Sequence, residues 1–406
     1  MTWGITRISM NLNLAFLRDA LWLSPQRARA YRNILLGAQV LAALVIVVGS
    51  HGGLDFDNRP IGTDFIAFWT ASQIALSGSP AKVYDVATHL AAQRAAFGGS
   101  SLHLEPFLYP PVFLLVCLPL ALLSYGWALL VWLTLTGALM LAALGRFARD
   151  NLATVLSFPA LWLNVAHGQN GFLTTALLAG GAAYLETRPV LAGVLFGGLI
   201  YKPHFLPMVL VVLLARWRLR AALAVAGSAT ALCGLSMAVF GIDTWRGFGA
   251  GSALARRELE EGLAGYYKMQ SLFAAVRLFG GSVTAAYAAQ GLLAVLAAAT
   301  LAWICRRADD PRAIGAALAS AALLASPYLL VYDLVLLAIP LLWVWQTALR
   351  TGFLSWEKAV LAMAFFTPMI ASETAYWLHI PLTPIALLAA FGLVVRRINS
   401  LPTVSR

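Results

Sequence analysis

Apolar runs occupy most of this chain, and shorter polar segments that hold most of the charged residues separate them. The first run, Asn33–Gly49, is long enough for a membrane helix, which needs roughly 17–25 residues. The pattern therefore predicts an all-α polytopic membrane protein with about twelve transmembrane helices. After the first, the predicted spans are approximately Tyr125–Gly145, Leu152–Val165, Phe172–Leu185, Val190–Leu199, Phe205–Ala215, Ala221–Phe240, Val283–Ile304, Ile314–Leu324, Leu329–Trp345, Ala359–Ile370 and Pro381–Val394.

Two longer polar segments interrupt these runs, the first at residues 51–124 and the second at residues 241–282. In the first, Asp64–Leu76 and Lys82–Phe97 have apolar residues at helical spacing, which predicts two interfacial helices. The apolar run Pro110–Leu123 is short for a span and leaves two alternatives, a crossing or a fold back at the outer surface. We favour the fold back, because it places the basic loops on one side of the membrane, in agreement with the positive-inside rule. These loops contain Arg216, Arg218, Arg220, Arg306, Arg307, Arg312, Arg396 and Arg397.

The composition excludes an ordinary soluble protein. Of the 406 residues, 61% are hydrophobic and 11% are charged, whereas soluble proteins have about 45–50% and 25%. We attribute the net charge of +11 to cytoplasmic loops and expect no nucleic-acid partner. The resulting prediction is a multi-pass protein of the bacterial inner membrane with both termini cytoplasmic. It has an N-terminal segment 1–32, one membrane domain 33–397 and a tail 398–406, and its oligomeric state is left open.

Asp64 is the candidate general base. It lies in the first polar segment, which this topology places on the outer face, and it precedes a run of apolar residues. Glycosyl transfer to a hydroxyl needs a carboxylate that can take the proton of the acceptor. The alternative is structural, because an Asp at the start of a helix is a favoured N-cap.

Polar residues embedded between apolar runs fall on the same outer face as Asp64. Polar groups at membrane depth usually line a cavity or contact one another, so the sequence predicts one shared site. The candidates for binding a donor phosphate or sugar are Lys202, His204, His167, Gln169, Tyr328, Asp333, Arg257 and Lys268.

Each of these candidates also has a structural interpretation. Lys202 could bind phosphate as a compact charge or extend its side chain to the interface. His204 could be an ordinary polar residue, and His167 with Gln169 could form a polar turn. Tyr328 and Asp333 could make a structural hydrogen bond, while Arg257 and Lys268 could belong to a solvated helix with salt bridges.

The sequence lacks a phosphate-binding loop, a dinucleotide glycine fingerprint, a zinc motif and a nucleophile elbow. A membrane enzyme without a nucleotide site, acting at the outer face, is expected to use a lipid-linked donor. We expect no cofactor and no metal. The rival class is a polytopic transporter or lipid flippase, but the chain has no convincing internal repeat of the kind that transporters often show.

Six short motifs occur in a fixed order along the chain: Gly62-Thr63-Asp64-Phe65, Tyr84-Asp85, Tyr109-Pro110-Pro111, His167-Gly168-Gln169, Lys202-Pro203 and Ser326-Pro327-Tyr328 with Tyr332-Asp333. This ordered set resembles glycosyltransferase family 87, over about residues 33–345. The family includes a mycobacterial mannosyltransferase that extends phosphatidylinositol mannosides. The resemblance implies the GT-C fold, a polyprenyl-phosphate sugar donor, and an inverting mechanism with the aspartate of the first outer loop, here Asp64, as base. We predict transfer of a hexose, mannose foremost, to a lipid or glycan acceptor.

Overall fold

The computed structural model describes residues 14–97, 105–148 and 151–401. This part of the chain is helical and contains no strand, only three isolated bridges. The α-helices are α1 (Pro25–Val48), α2 (Phe65–Leu76), α3 (Val86–Phe97), α4 (Pro111–Cys117), α5 (Tyr125–Ala148), α6 (Leu152–Leu156), α7 (Pro159–His167), α8 (Gly171–Tyr184), α9 (Pro189–Gly197), α10 (Leu206–Ala215), α11 (Leu219–Phe240), α12 (Ile242–Glu261), α13 (Leu272–Leu278), α14 (Val283–Arg307), α15 (Pro311–Ala325), α16 (Ala338–Thr351), α17 (Glu357–Leu378) and α18 (Leu382–Ser400).

Short 3-10 turns join several of these helices: Pro80–Tyr84, Leu118–Leu122, Gly198–Tyr201, Pro203–Phe205, Tyr266–Lys268 and Val331–Leu337. Proline starts many elements, because its fixed φ suits a first turn and it has no amide hydrogen to leave unpaired. The predicted span Leu152–Val165 is divided at Pro159 into α6 and α7. Lys202-Pro203 likewise separates two turns between α9 and α10.

The prediction of an all-α polytopic membrane protein is confirmed. Among the described residues, seven helical segments are long and apolar enough to cross a membrane, and six shorter apolar segments have 10–17 residues. The count of twelve spans and the sidedness of the loops stay predictions. Of the predicted cytoplasmic ends, residues 1–13 and 402–406 lie outside the described residues.

The centre of the bundle is α15, where residues 313–324 are all buried. It packs against α8, α10, α14, α16 and α18. Its run of alanines lets these helices approach closely, and a Cβ on Gly315 would lie 2.8 Å from the ring of Phe147. A buried helix of 15 residues therefore occupies the middle of the structure, surrounded by longer ones.

The first polar segment has its own core. Helix α2 buries nine of its residues in this core, and its position at the membrane interface stays a prediction. Its Phe68 ring contacts the rings of Phe107, Phe113 and Trp132. Helix α12 of the second polar segment lies against the Pro80–Tyr84 turn. The two polar segments thus pack together at one end of the bundle, the end that carries Asp64.

Candidate active site

The Asp64 carboxylate is held by three neighbours. Thr63 Oγ1 donates to Asp64 Oδ1 at 3.0 Å, and Gln169 Nε2 donates to Oδ2 at 3.0 Å. His167 Nδ1 lies 3.3 Å from Oδ1 and 3.0 Å from Thr63 Oγ1. Since a carboxylate only accepts hydrogen bonds, His167 Nδ1 bears a hydrogen in this arrangement. Asp64 is the N-cap residue of α2, but its side chain makes no capping hydrogen bond.

The amide of Gln169 can point in only one direction. Its Oε1 accepts from the Tyr109 hydroxyl at 3.2 Å and from the backbone N–H of Asn170 at 3.1 Å. Two donors on the oxygen leave the amide nitrogen facing Asp64. The chain of contacts continues outward, because the Tyr84 hydroxyl donates to the carbonyl of Tyr109 at 2.8 Å.

The turn after α7 brings these groups together because two glycines allow close approach. Gly168 ends α7 in the left-handed region with φ 60°, and a Cβ there would lie 2.6 Å from Phe65 Cβ. A Cβ on Gly171 would lie 2.4 Å from the carbonyl oxygen of Tyr332. The backbone N–H of Asp64 donates to the carbonyl of His167 at 3.1 Å. Segments about one hundred residues apart in sequence are thus joined at the backbone.

Burial raises the pKa of Asp64, but the hydrogen bonds and charge of His167 and the hydrogen bonds of Gln169 and Thr63 outweigh this effect. The net pKa lies below the ordinary value of an aspartate. Asp64 is therefore ionised at neutral pH. Its side chain is 22% exposed and that of His167 is 35% exposed, so both can be reached from outside. The two carboxylate oxygens have about four lone-pair sites, which leaves room for a further proton.

Lys202 and Asp333 form a buried ion pair. Lys202 Nζ lies 2.5 Å from Asp333 Oδ1, and the two side chains are 5% and 4% exposed. Asp333 Oδ2 also accepts from the backbone N–H of Leu330 at 3.2 Å. Lys202 Nζ lies 5.5 Å from the centre of the Tyr332 ring, and that ring is 5.9 Å from the ring of His167. The pair therefore fixes the Tyr332 segment beside Asp64, and its charges neutralise one another.

Further carboxyl groups lie near Asp64. Burial and the negative charges of Asp64 and Glu258 raise the pKa of Glu105 to about 8, against a lowering effect of Lys268. The backbone of Glu105 is held by Gln93, which bonds both its N–H and its carbonyl. Glu105 is consequently a neutral acid at pH 7. Lys268 is exposed and lies over the ring of Tyr267.

The remaining candidates lie in other surroundings. The Tyr328 hydroxyl donates to Glu258 at 3.1 Å, which joins the Ser326–Tyr328 loop to α12. Arg257 is exposed and forms an ion pair with Glu261 one turn along α12, as in the solvated-helix interpretation. The ring of His204 packs on that of Phe205, and its Nε2 has no hydrogen-bond partner.

Sequence reasoning missed two residues of this site. It gave no role to Thr63 or to Tyr109 as neighbours of Asp64, although both stand in the quoted motifs. The one signal in the sequence was that Thr63, which carries a hydroxyl group, directly precedes Asp64, so a hydrogen bond between the two side chains could have been predicted. Within the described ranges, no three His, Cys, Asp or Glu side chains group as a metal site would require.

One cavity in the described part of the chain does not include this chemistry. It has about 390 Å³ and is lined by residues of α1, α6, α16 and α17 and of the segments next to them. Its lining is mostly apolar, with Arg29 and Arg32, and it includes none of the candidate site residues. We therefore assign the candidate active site from hydrogen bonding and charge rather than from cavity size.

Comparison with protein families was decisive for the class. The sequence model of glycosyltransferase family 87 matches residues 107–327, which is more than half of the chain. The chain belongs to glycosyltransferase family 87. No curated protein and no solved structure matches the chain.

Membership of family 87 identifies a membrane glycosyltransferase, which uses a sugar donor and an acceptor in the membrane. This favours the enzyme over the transporter alternative. The matched range contains His167, Gln169 and Lys202, whereas Asp64 precedes it and Asp333 follows it. The roles of individual residues accordingly rest on the geometry alone.

Proposed function

We propose that this protein transfers a hexose, mannose foremost, from a polyprenyl-phosphate donor to a lipid or glycan acceptor at the periplasmic face of the bacterial inner membrane. The reaction inverts the anomeric centre, and Asp64 is the general base. The observation that carries the proposal is the Asp64 carboxylate, ionised, partly exposed and held by Thr63, His167 and Gln169.

The chemistry follows from this geometry. The acceptor oxygen attacks the anomeric carbon while the bond from that carbon to the phosphate oxygen breaks. Asp64 takes the acceptor proton, and the electron pair of the breaking bond leaves with the lipid phosphate. A phosphate is already a good leaving group, so the reaction needs no general acid. The hydrogen bonds to Asp64 hold the carboxylate in position before the acceptor arrives, which general-base catalysis requires.

The phosphate needs a cation, because stabilising charge that develops in the transition state is usually the largest contribution to catalysis. Lys268 suits this role best, since its exposed ammonium is near enough to act on Glu105. The protonated form of Glu105 supports the same role by adding no negative charge. Lys202 would contribute by positioning Tyr332, given its pairing with Asp333. Arg257, His204, Tyr328 and Asp333 remain candidates for contacts further from the reacting bond.

The test is transfer of labelled sugar from polyprenyl-phosphate-mannose, with a panel of other polyprenyl-phosphate sugars, to a membrane lipid extract. Purified wild type, Asp64→Asn and Asp243→Asn are compared. Asp243 is the matched control because it is an exposed aspartate of the second polar segment and forms a surface ion pair with Arg246.

We expect Asp64→Asn to lower transfer by about 10²–10⁴-fold, the usual contribution of general-base catalysis, and Asp243→Asn to retain it. Full transfer by Asp64→Asn would overturn the assignment of the base. Transfer from a sugar nucleotide, but from no polyprenyl-phosphate sugar, would overturn the donor.

A further inference from the structure

A second cavity lies between the two polar segments, on the far side of the Tyr84 and Tyr109 contacts from Asp64. It has about 280 Å³. One wall comes from the Pro80–Tyr84 turn and α3, another from residues 106–108, and the third from α12. The cavity exceeds by far the roughly 30 Å³ that one water molecule occupies.

His89 lines this cavity and is 1% exposed, and neither of its ring nitrogens makes a well-aligned hydrogen bond. Burial lowers the pKa of His89 to about 4, although a loose hydrogen bond with the backbone of Val83 offsets part of this effect. The ring is therefore neutral and offers one donor and one acceptor. Val83 can engage at most one of the two nitrogens. Because buried polar groups normally have partners, the other nitrogen indicates a ligand.

The walls restrict the chemistry of that ligand. Asp85 is exposed, and its carboxylate accepts from the backbone N–H of Thr88 at 2.8 Å and from the side chain of Thr88. A carboxylate has about four lone-pair sites, so Asp85 can also accept from a hydroxyl of a ligand. The lining contains no lysine and no arginine, so a phosphate would meet a carboxylate and no cation. Apolar and aromatic side chains, among them Phe107 and Leu254, supply the remaining surface. An uncharged molecule with several hydroxyls fits these groups.

The position of the cavity connects it to the reaction. Tyr84 lines the cavity and donates to the carbonyl of Tyr109, whose hydroxyl bonds Gln169, the residue that bonds Asp64. The rings of Tyr84 and Phe107 stand 6.0 Å apart in the intervening wall. The cavity is thus linked to Asp64 through Tyr84, Tyr109 and Gln169, but Asp64 is not among its lining residues, so a sugar bound there does not itself present the reacting hydroxyl.

We propose that this cavity binds a sugar ring of the acceptor that neighbours the ring receiving the transferred hexose. The proposal rests on the proposed glycosyltransferase function and makes it more specific, because it selects a glycan of at least two sugars as the acceptor. His89 and Asp85 bond the hydroxyls of that ring.

The first measurement uses the full-length Asp64→Asn protein in detergent, with methyl α-mannopyranoside, methyl glucoside and methyl galactoside as probes. Saturation-transfer NMR reports binding without any transfer. The variants are His89→Phe and Ala250→Leu, with Ala253→Leu as control. Ala250 and Ala253 are both exposed on α12, but only Ala250 lines the cavity, so Ala250→Leu obstructs the site with little risk to folding.

We expect at least one glycoside to bind, with affinity about tenfold weaker in His89→Phe, equivalent to the loss of roughly one hydrogen bond. Ala250→Leu loses binding and Ala253→Leu retains it. In the wild-type background, Ala250→Leu raises the KM for a disaccharide acceptor and leaves the donor KM unchanged. Absence of binding by every glycoside, or equal binding by both leucine variants, would overturn the cavity assignment even where Asp64-dependent transfer is intact. Sugar binding that depends on Ala250, without any transfer, would instead overturn the proposed function.

Discussion

Gly168 offers a sharp test of whether the position of Asp64 determines activity, because the glycine itself has no chemical group to contribute. We consider Gly168→Ala. The new Cβ would lie 2.6 Å from Phe65 Cβ and 2.9 Å from Leu129 Cδ1, both closer than carbon atoms approach. Phe65 follows Asp64 in sequence, so relief of the first contact moves the Asp64 backbone away from His167.

The magnitude has two parts. A non-glycine residue in the left-handed region costs roughly 1–2 kcal/mol, and relief of the contact adds about 1–3 kcal/mol. The larger effect is on the reaction, since Gln169 Nε2 donates to Asp64 at 3.0 Å and His167 Nδ1 lies 3.3 Å from it, and these contacts do not survive a displacement near 1 Å. A misplacement of that size costs about 10²-fold in rate.

Gly52→Ala is the matched control. Gly52 has φ 62° against 60° for Gly168, and a Cβ there would meet nothing within 4 Å. Gly52→Ala therefore has the energetic cost of a left-handed alanine but no steric contact of the new Cβ. Sugar transfer and thermal unfolding in detergent are measured for both variants. We expect Gly168→Ala to lose about 10²-fold in kcat with a folded protein, and Gly52→Ala to keep its kcat. Equal kcat values in the two variants would refute the link between this turn and the base.

Three further predictions concern charged groups. Glu105 is neutral below its pKa of about 8 and becomes negatively charged, near the donor, as the pH rises above that value. Sugar transfer should therefore decline as the pH rises through 8. In a pH profile of kcat/KM, Glu105→Gln should remove this decline. Lys202→Met leaves the buried carboxylate of Asp333 unpaired and should destabilise the protein by about 3–5 kcal/mol. The double variant with Asp333→Leu should regain most of the thermal stability. An unchanged melting temperature in the single variant would contradict this. Arg397→Leu breaks a buried pair with Glu357, in which Arg397 Nε lies 2.8 Å from Oε1, and should lower the melting temperature while leaving KM values unchanged in the folded fraction.

The candidate site was predictable from sequence as far as chemistry and rough position go. Asp64 was identified because an ionised carboxylate in a mostly apolar membrane chain is energetically unfavourable unless it has a function. His167 and Gln169 were identified because burying polar residues between two apolar runs costs free energy. The structure brings these three into direct contact. By contrast, no pattern in the sequence indicates the raised pKa of Glu105, since it comes from burial and neighbouring charges that only folding assembles.

The pairing of Lys202 shows why position in sequence was insufficient elsewhere. The sequence indicated that the charge of Lys202 is energetically unfavourable between two apolar runs and, separately, that Asp333 lies at the end of a span. Nothing in either segment shows that they face one another across 131 positions, and the pairing changes the expected role of Lys202 from binding phosphate to holding Tyr332.

By itself, the sequence determined the class of this protein. Hydrophobic runs of membrane length require helices, because unpaired backbone groups are too costly in lipid, and the ordered motifs indicated the glycosyltransferase family. Tertiary structure alone decided which polar groups meet. The close approach of Asp64 to the 167–171 turn depends on the space left by Gly168, and that of Tyr332 to the same turn depends on the space left by Gly171. The cavity beside His89 depends on how α12 lies against Tyr84. Both are set by packing between segments distant in sequence, which no local pattern of residues encodes.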